Sequence, residues 1–87
     1  WSDVGTWRSL FIHSKKDENN NAVVTGKTHL VNTSNCLIKL AGNKSAIIEG
    51  LDNYIIADSG DILLICNRDK EQEIRNYSEQ IEIQEGK

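Results

Sequence analysis

The chain has 87 residues, with 38% hydrophobic and 26% charged side chains, which bounds it to one domain with a modest core. Its net charge is −3 and it carries no basic block, so it lacks the electrostatic footprint of a nucleic-acid binder or of a protein that coats anionic membrane. The longest apolar run, ILLIC at 62–66, is far too short to span a bilayer, and no signal-peptide pattern opens the chain.

The opening, WSDVGTWRSLF, holds both tryptophans, Trp1 and Trp7, around Asp3 and Gly5. Trp7, Leu10 and Phe11 are spaced i, i+3, i+4, which predicts a short helix with one apolar face. Thr6 is its N-cap candidate, and Gly5 would let the backbone turn sharply just ahead of it. Residues 1–14 thus read as a turn and helix, and KKDENNN at 15–21 reads as an exposed loop.

The period then changes. AVV (22–24), HLV (29–31), CLIKL (36–40), AIIEG (46–50), YIIA (54–57) and ILLIC (62–66) are short apolar runs separated by Gly, Asn, Asp and Ser. Turns every 8–12 residues predict an all-β region over 22–68. Ile55-Ile56 and residues 62–65 are apolar on both faces, as expected of strands covered on both sides. Residues 69–81 turn helical again: Asp69 and Gln72 resemble a capping box, and Ile74, Tyr77 and Ile81 form a narrow stripe. Residues 82–87 read as a frayed tail. The predicted architecture is mainly β: six or so short strands wrapped as an irregular β-helix-like or β-roll domain, with a short helix at each end. The alternative is an antiparallel β-sandwich built on hairpins at 41–44 and 58–61.

Little in the chain suggests chemistry of its own. His13 and His29 are isolated. Cys36 and Cys66 sit inside apolar runs with no CxxC, and read as two free, packed thiols of a cytoplasmic protein, a disulfide being the other possibility. Asp58 and Asp61 bracket a turn, and residues 71–73 read as a solvated helix face. Gly26-Lys27-Thr28 resembles the tail of a phosphate loop, but position 21, where that loop needs Gly, is Asn. The sequons at Asn32, Asn43 and Asn76 read as chance. Asp3, a carboxylate between two tryptophans ahead of a helix, either satisfies local backbone N–H groups or serves a site.

Trp1-Ser2-Asp3-Val4-Gly5-Thr6-Trp7, followed by Ser9-Leu10, resembles the W-x-D-V-G-[ST]-W-x-x-L segment of bacterial mannose-1-phosphate guanylyltransferases. The likeness continues through Lys16-Asp17-Glu18-Asn19 with Asn21 and Gly26, through residues 50–58 (GLDNYIIAD), and through Asp61-Ile62-Leu63-Leu64-Ile65 with Gln72, to about residue 81. The resemblance implies an enzyme that makes GDP-mannose and pyrophosphate from GTP and mannose 1-phosphate with Mg2+, in the cytoplasm. It also implies a left-handed β-helix-like domain that follows a nucleotide-binding domain, packs on it, and often contacts a second subunit as a homo-oligomer. Asp3 would be a metal ligand in the full-length enzyme, and Trp1, Gly5 and Trp7 would shape the domain junction. The remaining catalytic, nucleotide and sugar residues would lie upstream of Trp1, so the chain alone would be inactive. Two other readings stand beside this one: a free-standing all-β interaction module, and the same domain of an enzyme acting on another hexose phosphate.

Overall fold

Each of the six short apolar runs forms a strand, and the turn residues between them set the path of the chain. In the computed structural model the backbone is described for residues 4–85 and the side chains for residues 7–81. The elements are α1 (Val4–His13), β1 (Ala22–Thr25), β2 (Lys27–Val31), β3 (Leu37–Lys39), β4 (Ser45–Glu49), β5 (Tyr54–Asp58), β6 (Leu63–Asn67), a 3-10 helix (Arg68–Glu73) and α2 (Ile74–Glu85).

β1, β3 and β5 pair in parallel, with Ala22 beside Leu37 and Leu37 beside Ile55. β2 and β4 pair in parallel as a second side, residue by residue from Lys27–Ser45 to Val31–Glu49. A third side is closed by the parallel bridge of Ser34 to Asp52. There Ser34 N–H donates to the Leu51 carbonyl and Asn53 N–H to the Ser34 carbonyl, both at 3.0 Å. Parallel pairing on three sides makes stacked coils, that is, an irregular β-helix, and sets aside the antiparallel sandwich. Residues 58–61 do turn a hairpin, joining β5 to antiparallel β6. Residues 41–44 do not: β3 and β4 lie in different sheets, so this segment rounds a corner between two sides of a coil.

The corners explain the missing repeat. Paired residues are 15 apart at Val23–Ile38 but 18 apart at His29–Ile47, because the second coil rounds its corner with a longer segment than the first. The first coil turns at Gly26, whose φ is +104°. A Cβ there would lie 2.6 Å from Leu40 Cδ1, so the close approach of the two coils depends on glycine. A second set of corners uses asparagine. Asn20, Asn35 and Asn53 have φ of 65°, 58° and 69°, and each stands two residues ahead of the paired set Ala22, Leu37 and Ile55. Asparagine tolerates this left-handed conformation better than other residues with a side chain. Asn20 Nδ2 also donates to Asn35 Oδ1 at 2.9 Å, linking successive corners.

Alternation along the central strands divides the core. Leu37, Ile55 and Ala57 face Trp7, Phe11 and Ile74, so one apolar cluster lies between the first sheet and the helices. Cys36, Ile38, Ile48 and Ile56 form a second cluster inside the coils. β5 is therefore buried on both faces, as its doubly apolar pattern predicts. β6 differs: Leu64 and Cys66 are buried, whereas Leu63 and Ile65 are exposed. Ile65 shares a face with its partner Ile56, but the chain turns back after β5 and, among the described residues, no third strand joins the β2–β4 side, so Ile65 stays exposed.

The helix ends correct four sequence expectations. α1 begins at Val4, so Thr6 lies inside the helix rather than capping it, and Gly5 is helical rather than a turn. The C-terminal helical region starts with a 3-10 helix capped by Asn67, whose side chain accepts from Asp69 N–H at 2.8 Å. The Asp69–Gln72 capping box is thus replaced by a cap two residues earlier. α2 continues to Glu85, past residue 81.

Candidate functional site: the seat of helix α1

The residue types that suggested function cluster at the start of the chain, so the site is the surface on which α1 is held. Trp7 and Phe11 are buried against the sheet, with Leu10 packed at the edge of the same cluster, as the i, i+3, i+4 spacing predicts. The exposed side of α1 carries Arg8, Ser9, Ile12 and His13. At its C-terminal end Ser14 Oγ donates to the Leu10 carbonyl at 2.6 Å, and Lys16 Nζ donates to the Ile12 and Ser14 carbonyls at 3.1 and 2.7 Å. The bonds to the Leu10 and Ile12 carbonyls satisfy groups that a helix end leaves without intrahelical partners.

The 3-10 helix contributes the polar half of the seat. Arg8 Nε donates to Glu71 Oε1 at 3.1 Å. The guanidinium of Arg68 lies 3.5 Å from the centre of the Phe11 ring. Lys16 approaches the same ring at 4.8 Å, so Phe11 receives two cations. Between α1 and the 3-10 helix is a cavity of about 50 Å³ lined by Trp7, Arg8, Arg68 and Glu71, among others. Glu71 is buried, contrary to its reading as part of a solvated helix face: it is oriented by Arg8, a residue 63 positions away that no local pattern could reveal.

Two carboxylates brace the stack beneath. Burial raises the pKa of Asp17, but hydrogen bonds from the Asn21 backbone, the Asn21 side chain and the Asn19 backbone outweigh it and hold the carboxyl below its ordinary value. Asp58, read as a turn residue, does accept from Gly60 N–H at 2.9 Å. It also meets Lys44 Nζ at 2.5 Å, and that ammonium, with the Gly60 N–H, lowers its pKa. The pair ties the longer corner of the second coil to the end of β5.

Of the residues singled out from the sequence, Trp7 is in the core cluster and Gly5 is in α1, while Trp1 and Asp3 lie outside the described residues. His13 and His29 are exposed on separate elements. Cys36 and Cys66 are both free and buried, in different core clusters, and burial pushes both thiols up. Among the described residues no group of three or more His, Cys, Asp or Glu could hold a metal ion, so those residues do not form a metal centre by themselves. Nor is any described helix long and apolar enough to cross a membrane.

Residues 26–81, covering β2 through most of α2, match the MannoseP isomerase/GMP-like beta-helix domain. The chain belongs to this family. The β-helix domain is 35% identical over 79 residues to a mannose-1-phosphate guanylyltransferase of Klebsiella pneumoniae, covering 91% of this chain and 16% of that protein. It is 33% identical over 84 residues to the alginate biosynthesis protein AlgA of Pseudomonas putida, covering 97% of this chain and 17% of that one. A crystal structure of mannose-1-phosphate geranyltransferase from Thermus thermophilus superimposes with a TM-score of 0.70 at 25% identity, over 94% of this chain and 24% of that one. The chain thus spans about a sixth of the length of these curated relatives. The family read from WSDVGTW and the β-helix-like fold expected with it are both found.

Proposed function

We propose that this β-helix domain is the C-terminal domain of a cytoplasmic mannose-1-phosphate guanylyltransferase, which forms GDP-mannose and pyrophosphate from GTP and mannose 1-phosphate. In this reading the domain is structural. It packs on the upstream nucleotide-binding domain and holds the segment that enters α1, so that Asp3 is presented to that domain's site. The observation that carries the reading is the seat itself: α1 begins at the residue after Asp3 and is anchored by buried Trp7 and Phe11 and by the Arg8–Glu71 pair.

Asp3 would supply one carboxylate toward Mg2+, and a hard cation of this kind takes several oxygen ligands, which the rest of the enzyme and the substrate phosphates would provide. One carboxylate cannot bind and orient two substrates, so the domain alone would be inactive. The uncovered apolar residues Leu63 and Ile65 support packing against another surface, in keeping with a homo-oligomer.

The experiment is a pyrophosphate-release assay with GTP, mannose 1-phosphate and Mg2+, run on residues 1–87 and on the intact protein that contains them. The intact protein should turn over and the 87-residue chain should not. Turnover by the short chain, or none by the intact protein, would overturn the reading.

A further inference from the structure

Burial of Trp7 and Phe11 holds α1 on the sheet, and apolar contact by itself is non-directional. The 3-10 helix adds directional contacts, in two rungs. Arg68 meets Phe11, and Glu71 meets Arg8. The partners are three residues apart on both elements, in opposite order, so together they fix both the rotation and the axial position of α1. The rungs differ in what anchors them. The Arg8 side chain is 69% exposed, so its ion pair with Glu71 is screened by solvent. Arg68 instead is held by the coil stack. Its Nη1 donates to the Asn35 carbonyl at 3.0 Å and to Asn53 Oδ1 at 3.2 Å, and its own backbone N–H donates to the Asn53 carbonyl at 2.7 Å. Asn35 and Asn53 are the left-handed corners of successive coils.

We propose that Arg68 is a positioning residue: it carries the geometry of the asparagine corners to Phe11 and so fixes α1 on the β-helix. The placement of α1 does not rest on the function proposed above. The role calls for arginine, because a planar guanidinium can donate in its plane to Asn35 and Asn53 while presenting its face to a ring. A lysine ammonium has no such face.

The test is amide hydrogen exchange of the intact protein, resolved by segment. R68K should speed exchange at residues 8–13 by about tenfold while β3 and β5 stay within about twofold of wild type, since local opening and global unfolding are read separately. F11L should reproduce that change, F11Y, which keeps the ring, should not, and the R68K/F11L double variant should open no faster than either single one. Wild-type exchange of α1 in R68K would overturn the proposal, because charge alone would then suffice. An equal rise in α1, β3 and β5, or failure of R68K to fold, would also overturn it, by making Arg68 a support of the whole domain. These outcomes are independent of turnover: loss of the guanylyltransferase reading would leave the exchange result standing, and the reverse.

Discussion

The side-chain carbonyl of Asn21 accepts a hydrogen bond from Cys36 N–H at 3.0 Å, in the interior of the stack. Beside it, Ala22 N–H donates to the Cys36 carbonyl at 2.8 Å, so a side chain continues the ladder where the backbone of the first coil has turned away. Asn21 Nδ2 donates to the Thr33 carbonyl at 2.8 Å and to Asp17 Oδ2 at 3.2 Å. One buried amide therefore joins the entry loop, the end of the first coil and the start of the second.

Asn21→Ala should lower the unfolding free energy by about 2–4 kcal/mol in urea titrations, because it leaves the Cys36 N–H and the Thr33 carbonyl without partners away from water. A loss below about 0.5 kcal/mol would show that water replaces the amide at no cost.

Gly26→Ala and Gly42→Ala separate two costs. Both glycines have positive φ, +104° and +59°, but only Gly26 faces a neighbour, Leu40, at a distance no Cβ tolerates. Gly42→Ala should cost about 1 kcal/mol for the left-handed backbone alone. Gly26→Ala should cost about 1–3 kcal/mol more, because Leu40 must move within a packed core. Equal midpoint shifts in thermal melts would contradict the close approach of the coils.

The acid limb of stability should follow Asp17 and Asp58. Both have folded pKa values below the ordinary 3.8, so their contribution is present above that value and is lost as pH falls through the folded values. Asp58→Asn should flatten the loss of stability on acidification below about pH 4. An unchanged acid limb would mean that the Lys44 pair persists equally in the unfolded chain.

The alkaline limb should follow the cysteines. Burial raises both thiols above the ordinary 9.0, so stability is intact below that pH and declines as pH rises through the folded values, where the unfolded chain alone ionises. For the same reason a thiol reagent at neutral pH should label neither cysteine in the native protein and both after denaturation. Rapid native labelling of Cys66 would contradict its place in the core under α1.

Much of the fold was legible in the residues. The six apolar runs became the six strands, and Trp7, Leu10 and Phe11 turned the predicted face of α1 inward, because local periodicity is what decides such elements. The pairing of strands was less legible. A parallel stack with partners 15 and 18 residues apart leaves no short repeat to read, and residues 41–44 have the composition of a hairpin turn while rounding a corner. Arg68 and Glu71 were illegible for a further reason. Their roles depend on Phe11 and Arg8 at the other end of the chain, so nothing near residue 70 distinguishes them from solvated helix charges. Asp3 stands out by its motif alone.

In the function proposed above the domain serves guanylyl transfer by presenting Asp3, and the direct measurement is the initial rate of pyrophosphate release by the intact protein carrying Asp3→Asn. The rate should fall roughly a hundredfold or more, as expected when a ligand of a charge-stabilising metal is removed, with the thermal midpoint unchanged. A wild-type rate in the variant would contradict the account.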